Sequence, residues 1–146
     1  MGAENVLTDQ NQAITNYDYS KLFKTNFKTV QMTYTNASGG TIELVPGMLF
    51  GRVSADLKGA ILKSASVDGS QIPFGINLTQ ATVLNGASKT IQVAVTGMAD
   101  KALIVLDGTD TLDTLITSRT IGDRIPADTE GITLEDFEQL VNLDNQ

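Results

Sequence analysis

The stretch "KTVQMTYT", Lys28 to Thr35, decides how this chain is read. Val30, Met32 and Tyr34 alternate with Thr29, Gln31 and Thr33. A side-chain period of two places alternate residues on opposite faces of an extended backbone, so this is a half-buried strand. Turn signals follow at short intervals. "NASGG" (36–40) is a loop cluster, "TIELVP" and "MLFGRVS" read as strands, and residues 30–54 are expected to form a hairpin followed by a further strand.

The same grammar continues through the middle of the chain. In "SVDGSQIPFGINL" (66–78), Asp68-Gly69 marks a tight turn, since glycine tolerates positive φ. Pro73 cannot donate to a ladder and belongs at a strand start, an edge or a bulge. Gly75 marks a bulge or a close backbone approach. "INLTQATVL", "TIQVAVTG" and "KALIVL" supply three more strand candidates, with Asn85-Gly86 as a hairpin signal between the first two. No helix-length segment separates these strands, which argues against a parallel α/β sheet. The expected fold is mainly β: a small β-barrel or β-sandwich with an extended N-terminal arm and a short C-terminal helix.

Both ends differ from this centre. Residues 1–27 are polar yet hold Tyr17, Tyr19, Phe23 and Phe27. Tyr19, Leu22, Phe23 and Phe27 suit a helical face with Asp18 as N-cap, whereas Tyr17 and Tyr19 alternate as in a strand; both readings stand. Residues 28–106 form the expected β-domain, and 107–146 an acidic C-terminal segment. In that segment "GITLEDFEQLVNL" predicts a helix near 134–142 with Thr133 as N-cap and Leu134, Phe137, Leu140 and Val141 on one face. "DTLDTLITSRTIG" (110–122) reads either as a helix capped by Asp110 and ended by Gly122, or as a Thr- and Ile-rich strand.

Composition narrows the chemistry. The chain has 146 residues, the length of one domain, and contains neither cysteine nor histidine. Disulfides, thiolate metal sites, cysteine nucleophiles and histidine general bases are excluded. The polar start is not a secretory signal, and no apolar run approaches the roughly 18 residues of a membrane helix. Net charge is −7, unevenly spread: residues 1–99 carry seven Lys/Arg and six Asp/Glu, residues 100–146 three and eleven. Two ends with different neighbours, or a solvated acidic tail, would give this asymmetry.

Candidate sites are sparse. Asp107, Asp110 and Asp113 bring carboxylates together, but without the spacing of an EF-hand, so a solvated acidic turn is expected. Ser64 beside Lys63 lacks the context of a nucleophile pair. No phosphate-binding glycine loop is present. Asn36-Ala37-Ser38 and Asn77-Leu78-Thr79 match the glycosylation pattern and are read as chance. Lys21, Lys24 and Lys28 near the arm aromatics are weak support for nucleic acid in an acidic chain.

Residues 47–106 resemble the head-decoration (auxiliary, capsid-stabilising) proteins of tailed bacteriophages. The resemblance lies in "GMLFGRVS", "ASVDGSQIPFGINL" and "IQVAVTGMADKALIVL". The arm and residues 107–146 depart from that pattern. The resemblance implies a non-enzymatic structural protein on the outer capsid surface of a virion, a homotrimer bound to the major capsid protein. No cofactor, nucleic acid or membrane partner is implied. The arm residues Tyr17, Tyr19, Leu22, Phe23 and Phe27 are the expected partner-binding anchors, since aromatics carry much interface energy. The alternatives are another virion subunit (tail tube or head-fibre base), a trimeric β-fold enzyme and a carbohydrate-binding module; the absence of tryptophan counts against the last.

Overall fold

A computed structural model describes residues 22–23 and 26–137. Among the described residues, eleven strands follow in chain order: β1 (Thr29–Thr35), β2 (Ile42–Leu44), β3 (Leu49–Arg52), β4 (Gly59–Ile61), β5 (Pro73–Asn77), β6 (Ala81–Val83), β7 (Ser88–Ala94), β8 (Thr96–Asp100), β9 (Leu115–Ile116), β10 (Arg119–Thr120) and β11 (Gly131–Glu135). One α-helix, α1 (Ile121–Asp128), lies between β10 and β11. The fold is mainly β, and five strands close a barrel in the order β1-β4-β3-β5-β7. Closure comes from the parallel bridge Tyr34↔Gly59 between β1 and β4.

The alternation in "KTVQMTYT" places Met32 and Tyr34 inside the barrel and leaves Gln31 and Thr33 in solvent. β7 lies antiparallel to β1 from Thr29↔Ala94 to Thr35↔Ser88, so Val30 faces Val93 and Met32 faces Ile91. Such cross-strand apolar pairs stabilise a sheet by roughly 0.2–1 kcal/mol each. Pro73 opens β5, and the register between β3 and β5 shifts at Phe50/Gly51. Gly75 is a close approach, because a Cβ there would run into Val93 and the carbonyl oxygen of Ala94. Gly69 has φ +100 within the Asp68 turn.

The two expected hairpins are corners instead. β1 pairs with β7 and β4, not β2, and β6 pairs with β2, not β7. The two segments that pair as β1 and β7 turn together and pair again as β2 and β6, from Ile42↔Val83 to Leu44↔Ala81. "NASGG" and Asn85-Gly86 bend one long ribbon. Hydrogen bonds from Asn36 N to Ala87 O (2.9 Å) and from Gly86 N to Asn36 O (2.7 Å) tie the bends to each other. "KALIVL" is not a strand either: it is a 3₁₀ turn, Lys101–Leu103, followed by the single bridge Met48↔Val105.

The C-terminal part also differs from expectation. Residues 110–122 are neither one helix nor one strand. They hold the short hairpin β9–β10 and the start of α1, where Thr120 caps by accepting from Asp123 N (3.1 Å). Gly122 lies inside α1, and Pro126 sits in its second half. Gly131–Glu135, expected to lead into the helix near 134–142, forms β11 and pairs in parallel with β8 over five residues. Ile132 is buried, Thr133 exposed and Leu134 half-buried, a period of two that wins because β8 offers it a ladder. Phe137 is helical, and 138–142 lie outside the described residues.

Two cores result. The inner one gathers Met32, Tyr34, Phe50, Ile91 and Val93 inside the barrel, with Leu44 and Val83 from the ribbon beyond the corner. The outer one covers the barrel wall at Leu49, Ile76 and Ala94 with Leu22, Phe23, Ala99, Ile121, Ile125 and Ile132. Residues 107–137 are therefore part of the packed body that includes residues 28–106.

Candidate partner-binding surface

Of the five expected anchors, Tyr17 and Tyr19 lie outside the described residues. Leu22 and Phe23 are 0% and 3% exposed and belong to the outer core; Phe27 packs against it, half-buried. These side chains are taken up by the chain's own fold, so Leu22 and Phe23 do not face a partner in this conformation. The reason lies in β8. Gly97 (φ +129) leaves a slot in which a Cβ would sit 2.9 Å from the Phe23 ring and 3.0 Å from Phe27 Cβ. The two rings stack there, centroids 4.6 Å apart, and Phe23 forms an antiparallel bridge with Ala99. Lys28 fixes the following residue pair: its N–H donates to Thr96 Oγ1 and its Nζ pairs with Glu130 at 2.9 Å.

A second region is the loop end of the barrel. Val67, 93% exposed, stands at the tip beside the Asp68-Gly69 turn. Asp68 Oδ1 accepts from Ser70 N (3.1 Å) and Ser70 Oγ (2.6 Å). These bonds hold the Asp68 carboxyl below the usual carboxylate range, the Ser70 hydroxyl contributing most. A cleft of about 400 Å³ lies alongside, lined by Arg52, Leu57, Ile72, Pro73, Phe74 and Asp128. Arg52 stacks over the Phe74 ring at 4.8 Å, and exposed Leu57 adopts φ +60. A smaller cleft of about 240 Å³ includes Tyr34, Lys63, Asp68 and Asp107 in its lining. Burial, and secondarily the Asp107 charge, raises the Tyr34 phenol above its usual value.

The acidic cluster has a structural role. Asp110 accepts from Ser64 N (2.8 Å) and Ser64 Oγ (2.6 Å), tying the 107–110 turn to the loop after β4. Ser64 is thereby bound to a carboxylate, and the Lys63/Ser64 nucleophile reading gains no geometry. Among the described residues, no three His, Cys, Asp or Glu side chains are grouped to hold a metal ion. No helix among them is long and apolar enough to cross a membrane.

Sequence reasoning missed the two asparagines that organise the loops. Asn36 and Asn77 are both fully buried. Asn36 Nδ2 donates to Gly40 O (2.7 Å) and Val83 O (2.8 Å), while its Oδ1 accepts from Ser38 N and Oγ. Asn77 Nδ2 donates to Val45 O and Thr79 O, and its Oδ1 accepts from Thr79 N. The Asn-x-Ser/Thr pattern was the available signal: it describes turns in which the side chain bonds the backbone two residues on. No protein-family model matches this chain, and no curated protein matches it.

Proposed function

We propose that this chain is a structural virion protein that seats on the outside of a tailed-phage capsid as a homotrimer and stabilises it without catalysis. The observation that carries the reading is the clamped root of the N-terminal segment: Leu22 and Phe23 are buried in the outer core, and Phe23 bridges Ala99 on β8. A clip that holds neighbouring subunits needs one fixed end. The 21 residues before that root include Tyr17 and Tyr19; fully extended they reach about 70 Å at about 3.3 Å per residue. Cementing would come from surface removed from water at arm–shell and trimer contacts, roughly 1,600 Å² for a standard interface, repeated over many copies.

The test is truncation combined with co-sedimentation on capsid shells that lack the protein. Removing residues 1–20 keeps the root and is expected to leave melting near that of the full chain while abolishing shell binding. Removing 1–26 takes away Leu22 and Phe23 as well, and is expected to lower stability too. Shell binding that survives the shorter truncation sinks the clip. A full-length chain that never binds shells sinks the decoration reading.

A further inference from the structure

The Asn85-Gly86 pair, the sole Asn–Gly step in the chain, turned out not to make the hairpin its sequence suggests. This step is also the most reactive dipeptide toward intramolecular amide chemistry, because glycine puts no side chain in the way of ring closure. The Gly86 backbone nitrogen attacks Asn85 Cγ, forming a C–N bond. The side-chain amide C–N bond breaks, and its nitrogen leaves as ammonia, carrying the Gly86 proton. Water then opens the succinimide at either carbonyl, giving aspartate or isoaspartate with no change of oxidation state.

Both reacting groups are occupied in the corner. The Gly86 N–H donates to Asn36 O at 2.7 Å, so the nucleophile holds its proton in a short hydrogen bond. Asn85 Oδ1 accepts from Gly39 N at 3.0 Å, which pins the electrophile to the opposite bend of the ribbon. Residues 84–90 are all exposed, so water and hydroxide reach the site freely. Asn36 in turn is held by four side-chain bonds within the corner.

We propose that Asn85 is a latent deamidation site, kept intact while the chain is folded by the Asn36–Gly86 and Gly39–Asn85 hydrogen bonds, with Asn36 as the positioning residue. Reaction then requires the corner to open locally. Isoaspartate at this position would insert an extra backbone carbon into the 85–86 bend and break its pairing with the 36–40 bend.

The experiment uses the full-length protein at mildly alkaline pH. Peptide mass mapping follows deamidation at position 85, and hydrogen exchange follows the Gly86 amide. Deamidation is expected to be more than about tenfold slower in buffer than in denaturing urea, and Asn36→Ala to recover about tenfold, the factor that about 1.4 kcal/mol of lost corner stability produces. Equal rates in buffer and in urea overturn the proposal. Should Asn36→Ala not fold, the wild-type protein decides alone. Gly86 exchange and Asn85 deamidation need the same N–H released, so they must be slowed alike. A Gly86 amide that exchanges without protection while Asn85 stays intact also overturns it.

Discussion

The two cores of this protein are built by different logics. The inner core draws its barrel side chains from strands that alternate inside and outside: Met32 and Tyr34 on β1, Phe50 on β3, Ile91 and Val93 on β7. Its Tyr34 and Phe50 rings meet edge to face at 5.7 Å. The outer core collects side chains from both ends of the described chain, Leu22 and Phe23 before the barrel and Ile116, Ile121, Ile125 and Ile132 after it. Leu49 and Phe50 are neighbours, 1% and 0% exposed, yet serve opposite cores. A barrel wall buried on both sides behaves as a shared partition, so residues 107–137 contribute to the packing through Ile116, Ile121, Ile125 and Ile132. On α1, Asp123 and Asp128 take exposed positions while Ile121 and Ile125 are buried.

The strongest way to break this comparison is to empty one core and watch the other. Phe50→Ala should cost about 3–5 kcal/mol in urea denaturation, as a large buried ring is lost. If the partition couples the cores, hydrogen-exchange protection falls by the same amount at Ile91 and at Ile125. Protection that drops at Ile91 alone would show two independent units.

Ile125→Ala asks the reverse question from the outer side, with an expected loss of about 2–5 kcal/mol. A single cooperative transition is predicted. Two transitions, the barrel surviving the first, would make the outer layer a separable addition.

Tyr34 sharpens the comparison through pH. Its phenol, usual value 10.0, is raised in the folded chain by burial and by Asp107. The folded state therefore holds this proton more tightly than the unfolded chain. Its contribution is complete below the unfolded value and is lost as pH rises through the folded one. Tyr34→Phe should flatten the fall of stability on the alkaline limb, measured as the urea midpoint against pH. An unchanged limb would place the alkaline sensitivity elsewhere.

The smallest effect is expected where the N-terminal root meets the loop before β11. Lys28 and Glu130 are 60% and 55% exposed, and an exposed pair contributes about 0–1 kcal/mol. Glu130→Gln should barely shift the melting temperature. A loss approaching that of Ile125→Ala would mean that charge, not apolar packing, joins this end to the barrel.

Much of the inner core was legible beforehand. "KTVQMTYT" and "TIQVAV" carry a period of two because one face meets apolar neighbours and the other meets water, and that contrast is written residue by residue. Pro73 at a strand start and Gly75 at a close approach were legible for the same local reason, since a missing N–H and a missing Cβ restrict where each can sit. Partner choice was not. The turns at 36–40 and 85–86 announce a change of direction, but nothing local says that each bends beside the other, fifty residues away in sequence. The helix expected from Thr133 onward rests on Leu134 and Phe137 sharing one helical face; Ile132 and Leu134 also suit a ladder, and β8 takes the chain as a strand through Glu135. The β character of the centre, its turn positions and its lack of thiol and imidazole chemistry follow from the residues alone, because these depend on a residue and its near neighbours. Only in three dimensions is it decided which strands pair, that Phe23 and Phe27 lie over Gly97, and that residues 107–137 help close a second core. Those outcomes depend on which apolar surfaces and free backbone edges remain once the barrel has formed, and such remainders exist only in three dimensions.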